Sequence, residues 1–165
     1  MATPAGTGPR HVVFGRDGRT LYVIGELSGT IMVFPYDPYT GQLGDALQTL
    51  PTSPPTYTGT QSGAEIALHP TGKFVYGSNR GSNTVTGYRV HPVTGQLSVI
   101  GYAIQGISGP TDFAIEPSGR WLYVNSNVGN EIVQFSIDSG TGELTPTGLT
   151  TPQFAPNVMT FHTPH

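Results

Sequence analysis

The sequence predicts an all-β molecule made of three copies of one four-stranded antiparallel unit, followed by a single strand that begins a fourth. Two observations predict it. The turns Arg16-Asp17-Gly18-Arg19, Pro70-Thr71-Gly72-Lys73 and Pro117-Ser118-Gly119-Arg120 each lead into a strand-like run: Leu21-Tyr22-Val23-Ile24, Phe74-Val75-Tyr76 and Trp121-Leu122-Tyr123-Val124. A second set of turns, Thr40-Gly41-Gln42-Leu43, Thr94-Gly95-Gln96-Leu97 and Thr141-Gly142-Glu143-Leu144, follows at a constant distance, 23 residues from first glycine to second in each copy. Successive copies start 54 and 47 residues apart, and the seven extra residues fall in a Pro/Thr-rich loop at about 51–62.

The second copy shows the strands best, at 65–68, 73–78, 84–90 and 97–102. These runs are β-branched and aromatic and are bounded by turn residues. No segment sustains a 3.6-residue apolar period, which argues against helix. Four short strands in about 45–50 residues make the blade of a β-propeller. An immunoglobulin-like sandwich would not repeat its turn chemistry at a fixed internal spacing. The blades are expected at about 9–61, 62–108 and 109–153. The lone strand, 155–161, is recognised because Ala155-Pro156-Asn157-Val158-Met159-Thr160-Phe161 matches Gly109-Pro110-Thr111-Asp112-Phe113-Ala114-Ile115. An arc of three blades leaves two blade faces without neighbours, so further blades or self-association are expected.

Composition narrows the function. The net charge of −3 gives no basic groove for nucleic acid. No apolar run approaches the ~20 residues that span a membrane. Residues 1–6 lack the apolar centre of a secretory signal, so a cytosolic protein is expected. The 23 glycines and 15 prolines fall between dense apolar runs and mark turns, not disorder. The absence of cysteine excludes disulfides and thiolate metal sites. Five scattered histidines make no metal-ligand spacing, and neither a metal nor another cofactor is expected. His69, beside a turn proline, and His91, before another turn, are expected at the surface. His162 and His165 lie in the tail.

In a propeller blade the start of the first strand and the end of the second meet at the mouth of the central channel. The strand starts are Arg10-His11, Ala64-Glu65 and Thr111-Asp112; the strand ends, eight residues after each turn glycine, are Glu26, Arg80 and Asn127. The copies disagree most at these positions. Elsewhere they agree in type, as at Phe14, Leu68 and Ile115, or Phe34, Tyr88 and Phe135. A position that only builds the blade looks alike in each copy; one that varies in charge at the mouth is a candidate site. The same facts also fit a structural ion-pair network, since Glu26 and Arg80 on adjacent blades can simply pair.

These residues carry a family resemblance. Gly8-Pro9-Arg10-His11 leading to Glu26-Leu27, Ala64-Glu65-Ile66 leading to Ser78-Asn79-Arg80-Gly81, and Pro110-Thr111-Asp112-Phe113-Ala114 resemble the lactonase-type seven-bladed propellers. That family includes 6-phosphogluconolactonases and carboxymuconate lactonizing enzymes. The resemblance covers nearly all of this chain and about the C-terminal half of a member. It implies catalytic roles for Arg10, Glu26 and Arg80; His11, Glu65, Asp112 and Asn127, placed at the mouth by the comparison of the copies, are expected to bind substrate. It also places a further family histidine on a blade upstream of Arg10, and position 111, often arginine in relatives, is threonine here. The implied reaction is lactone hydrolysis: Glu26 or the upstream histidine acts as general base, and Arg10 and Arg80 hold an oxyanion or a substrate phosphate or carboxylate. Ring closure of a muconate to a lactone needs the same groups and stays open, as does a non-catalytic propeller fragment.

Overall fold

The computed structural model describes residues 3–161, so His162 and His165 lie outside it. Blade one comprises β1 (Pro9–Phe14), β2 (Thr20–Gly25), β3 (Thr30–Pro35) and β4 (Gln48–Pro51). Blade two comprises β5 (Gly63–Leu68), β6 (Phe74–Asn79), β7 (Thr84–Val90) and β8 (Leu97–Ala103), and blade three β9 (Pro110–Ile115), β10 (Trp121–Ser126), β11 (Glu131–Ile137) and β12 (Leu144–Pro152). Each blade is one antiparallel sheet with its strands in chain order. The inner strands β1, β5 and β9 adjoin one another in sequence, and β8 meets β12 on the outer side. Among the described residues no helix is long and apolar enough to cross a membrane.

Alternation along the strands sorts side chains to the two faces of each sheet. Tyr22, Ile24, Ile31 and Val33 of blade one pack on Ile66, Val75, Tyr88 and Leu97 of blade two. Phe74, Tyr76 and Val85, from the other face of blade two, pack on Phe113, Leu122, Val124 and Phe135 of blade three. Blade two is covered on both faces, and its β6 is buried at every position, apolar over Phe74–Tyr76 and closed by the polar Ser78 and Asn79.

The blades are locked by a bond that repeats with the sequence. The Tyr22 hydroxyl donates to Gly95 O at 2.8 Å, and the Tyr76 hydroxyl donates to Gly142 O at 2.8 Å. Burial pushes both phenols well above their ordinary pKa, so they remain donors. The acceptor glycines have φ of +69° and +78°. A Cβ there would also stand 2.5 Å from Thr20 Oγ1 or 2.5 Å from the Phe74 ring, so glycine is required twice over. Arg16 donates to the Pro70 and Thr71 carbonyls of blade two, and Arg89 to the Gly140 and Thr141 carbonyls of blade three.

His69 corrects the surface expectation. It is 3% exposed, with Nε2 at 2.8 Å from Gly119 O of blade three and Nδ1 at 2.8 Å from the Thr71 hydroxyl. The turn that carries it, between β5 and β6 on the side opposite the mouth, is covered by the β9–β10 turn of the neighbouring blade. His91 is exposed, as expected.

Residues 155–161 form no ladder; a first strand without a second has nothing to pair with. The segment is still placed by the blade's own rule. Asn83, at the β6–β7 turn with φ +52°, accepts a hydrogen bond from Gly109 N at 2.8 Å. Asn130, at the β10–β11 turn with φ +56°, accepts one from Ala155 N at 3.0 Å.

Candidate active site at the mouth of the arc

The mouth is shaped by a bulge that recurs in all three inner strands. Between Pro9 and His11, between Gly63 and Ile66, and between Pro110 and Asp112, the inner strand advances one residue more than its partner. Bulges interrupt the ladder and re-aim side chains. Here they fall on Arg10, on Ala64-Glu65 and on Thr111. The ends of β2 and β6 supply the opposing residues. Glu26 is fixed through its backbone, donating its N–H to Gly8 O at 2.8 Å and accepting from Gly63 N of blade two at 2.9 Å.

Six of the seven expected residues are brought together, in two groups joined through the adjacent Arg10 and His11. In the first, Glu26 is gripped by two guanidiniums: Arg80 bonds one carboxylate oxygen, and Arg10 lies 3.5 Å from the other. The Arg80 hydrogen bond, helped by both arginine charges, holds the Glu26 carboxyl below the usual carboxylate range against its partial desolvation. In the second, His11 Nδ1 sits 2.7 Å from Glu65 Oε2 of blade two. Glu65 is itself held, its other oxygen accepting from Ile66 N at 3.0 Å and its own N–H donating to the Ser78 hydroxyl at 2.9 Å.

Asp112 closes the second group and is 8% exposed. Burial pushes its carboxyl up to about 6; the Glu65 charge adds to this, while the Met159 and Phe113 N–H groups and His11 oppose it. Its Oδ2 accepts from Met159 N at 2.6 Å and from the Asn125 amide at 3.4 Å. Asn127 stays apart. Its amide donates to Pro156 O at 3.2 Å and Asn157 Oδ1 at 3.0 Å, tying down the segment that follows blade three.

Sequence reasoning missed two supporting residues. Asn79 is fully buried; its oxygen accepts from Ser62, Gly81 and Ser82 N–H groups, and its amide donates to Thr52 Oγ1 at 2.9 Å and Gln61 Oε1 at 2.7 Å. It thereby anchors the long 51–62 loop beside Arg80 and fixes the turn that presents Arg80. Asn125, 1% exposed, supports Asp112. The available signal was a polar residue closing an otherwise apolar strand. A cleft at the outer side of blades two and three, lined by Tyr102, Ala103, Glu143 and Leu144 among others, contains none of the mouth residues.

The mouth can therefore present two arginines, each about a quarter to a third exposed, beside a histidine–carboxylate pair. Comparison with known proteins bears on what such a mouth serves. The family model for "Lactonase, 7-bladed beta-propeller" matches residues 1–161. A 6-phosphogluconolactonase of Serratia proteamaculans is 35% identical over 102 residues, which is 62% of this chain and 30% of that protein. That of Bacillus subtilis is 30% identical over 66% of this chain and 31% of its own length. Among solved structures, the periplasmic gluconolactonase of Pseudomonas aeruginosa superposes with a TM-score of 0.89 at 31% identity, covering 96% of this chain and 43% of that one. The chain thus spans about a third of these curated relatives in sequence and about two fifths of that solved relative. It belongs to the seven-bladed β-propeller lactonases.

Proposed function

We propose that this site hydrolyses a small anionic lactone, a sugar lactone such as 6-phosphogluconolactone in carbohydrate metabolism (the pentose phosphate pathway). The observation that carries the reading is the Arg10–Glu26–Arg80 bridge across two blades, which holds two guanidiniums at an open surface. Opening a lactone requires charge to develop on the carbonyl oxygen, and charge-assisted N–H donors fixed beforehand stabilise it without reorganisation. A substrate phosphate or carboxylate is recognised by the same groups. Glu26, expected from the sequence as a proton acceptor, fits another role better. A carboxylate held below its ordinary pKa by two cations is a weak base, and here it orients both arginines.

Relatives named 6-phosphogluconolactonase and gluconolactonase support the substrate class. The cytosolic placement expected from the sequence belongs to this proposal as well; one relative is named periplasmic, and fractionating cells that express the native gene distinguishes the two.

The test is lactone opening followed by proton release, with gluconolactone and its 6-phosphate as substrates and a muconate lactone as control. Arg80→Ala is expected to lower kcat/KM by about 10²–10³, with a larger loss on the phosphorylated substrate. Undiminished hydrolysis in both Arg10→Ala and Arg80→Ala rules the reading out, and turnover of the muconate lactone alone reassigns the site to cycloisomerisation.

A further inference from the structure

Resting on that reading, we propose that His11 is the proton acceptor that activates water here, and that Glu65 of the neighbouring blade is the residue that positions its ring. Hydrolysis needs a base, and the other carboxylates of the mouth are otherwise engaged. Glu26 is held by two arginines. Asp112 is buried, and its Oδ2 already accepts the Met159 N–H.

His11 differs from both. Its side chain is 41% exposed, yet Nδ1 is buried, so the exposed part of the ring is the edge away from Glu65. No hydrogen bond among the described residues engages Nε2. Glu65 Oε2 stands 2.7 Å from Nδ1 but well off the line of a ring N–H, so the two make an ion-pair contact without a formed hydrogen bond; a turn of the ring about its own axis forms it, and catalytic hydrogen bonds commonly tighten when substrate binds. Because Glu65 is fixed by Ile66 N–H and by its bulge, it favours the tautomer with the proton on Nδ1 and leaves the Nε2 lone pair free. This is the logic of an imidazole oriented by a carboxylate, as in hydrolytic triads, with water in place of the serine. His11 follows Arg10 directly at the β1 bulge, so base and oxyanion donor are delivered by one backbone feature.

The step balances with water alone. His11 Nε2 takes one proton from water as the water oxygen bonds to the lactone carbonyl carbon, and the carbonyl electrons move onto its oxygen beside the arginines. Collapse of that adduct breaks the bond between the acyl carbon and the ring oxygen. The ring oxygen leaves with the proton from His11, and the resulting hydroxy acid loses a proton to solvent.

Four measurements on the 165-residue chain test this. His11→Ala is expected to lower kcat by about 10²–10⁴, with KM nearly unchanged and an unaltered unfolding transition. Added imidazole is expected to restore part of that rate, which a packing defect would not allow. Glu65→Gln is expected to lower kcat by a smaller factor without response to imidazole. Nitrogen NMR of the neutral wild-type ring is expected to show the Nδ1–H tautomer, and a mixture of tautomers in Glu65→Gln. If His11→Ala keeps its kcat while Arg80→Ala loses it, the base assignment falls and the lactonase reading stands. If the wild-type chain opens no lactone, both fall. An Nε2–H tautomer in the wild type overturns the proposal whatever the activity.

Discussion

The boundary between blades one and two and the boundary between blades two and three are the same joint with different mouths. Away from the mouth they share a tyrosine hydroxyl on a turn glycine carbonyl and an apolar layer between; each also has an arginine on two turn carbonyls, though from different places, Arg16 of the β1–β2 turn reaching the β5–β6 turn and Arg89 of β7 reaching the β11–β12 turn. At the mouth they diverge. Across the first boundary Glu26 meets Arg80 and His11 meets Glu65, opposite or complementary partners. Across the second, the residues in those places are Arg80 and Asn127, and Glu65 and Asp112, two like charges of which the first adds to the burial that raises the proton affinity of the second. The difference teaches that repeated residues hold the arc together, while the unrepeated ones concentrate cationic and basic chemistry at one boundary.

The most severe way to break the comparison is to empty the shared layer. Phe74 is fully buried, edge-on to His69 and under the Arg89 guanidinium, 5.3 Å from the ring centre. Phe74→Ala is expected to cost about 3–5 kcal/mol in urea unfolding, because the cavity cannot be refilled by a stiff sheet. Equivalence of the joints is sharpened by Tyr22→Phe and Tyr76→Phe, each expected to cost about 1–3 kcal/mol by leaving a glycine carbonyl unmet. Unequal losses would show that the two boundaries bear load differently. Tyr123, the third copy, meets no turn glycine among the described residues; its hydroxyl accepts from the Gln134 amide at 2.9 Å, and its ring lies 5.4 Å from that of Phe161. Tyr123→Phe is therefore expected to cost less than either.

The second boundary has its own signature in pH. Asp112 binds its proton more tightly folded, at about 6, than an unfolded aspartate does. It therefore contributes stability that is complete below about pH 4 and fades as pH rises through 6, by about 3 kcal/mol. Asp112→Asn removes that slope. Relative to wild type it should gain stability between pH 4 and 7, and a parallel pair of stability curves would contradict the pKa. The smallest expected effect is on the Glu26–Arg80 pair. A double-mutant cycle with Glu26→Gln and Arg80→Ala should give at most about 1 kcal/mol of coupling in stability, since solvent screens partly exposed ions.

The architecture was legible because turn chemistry repeats at fixed intervals, and the second-copy strands fall within two residues of their expected limits. The gathering of Arg10, Glu26, Arg80, His11, Glu65 and Asp112 followed from the same map. What escaped was contact made across a boundary. His69 looks like an ordinary turn residue until blade three covers it, and Asn127 turns away from the mouth to Pro156 and Asn157. The bulges were invisible too, since one extra residue in a short alternating run leaves no compositional trace.

Those bulges have a consequence for how the molecule can change. Where the backbone leaves its regular pairing for one step, a side chain can be exchanged without disturbing the alternation that keeps apolar residues inward further along the strand. Each copy therefore carries a position that tolerates new chemistry independently of its siblings. A gene that duplicates such a unit inherits a ring of adjustable contacts on an unadjusted frame, and new substrates become reachable one substitution at a time.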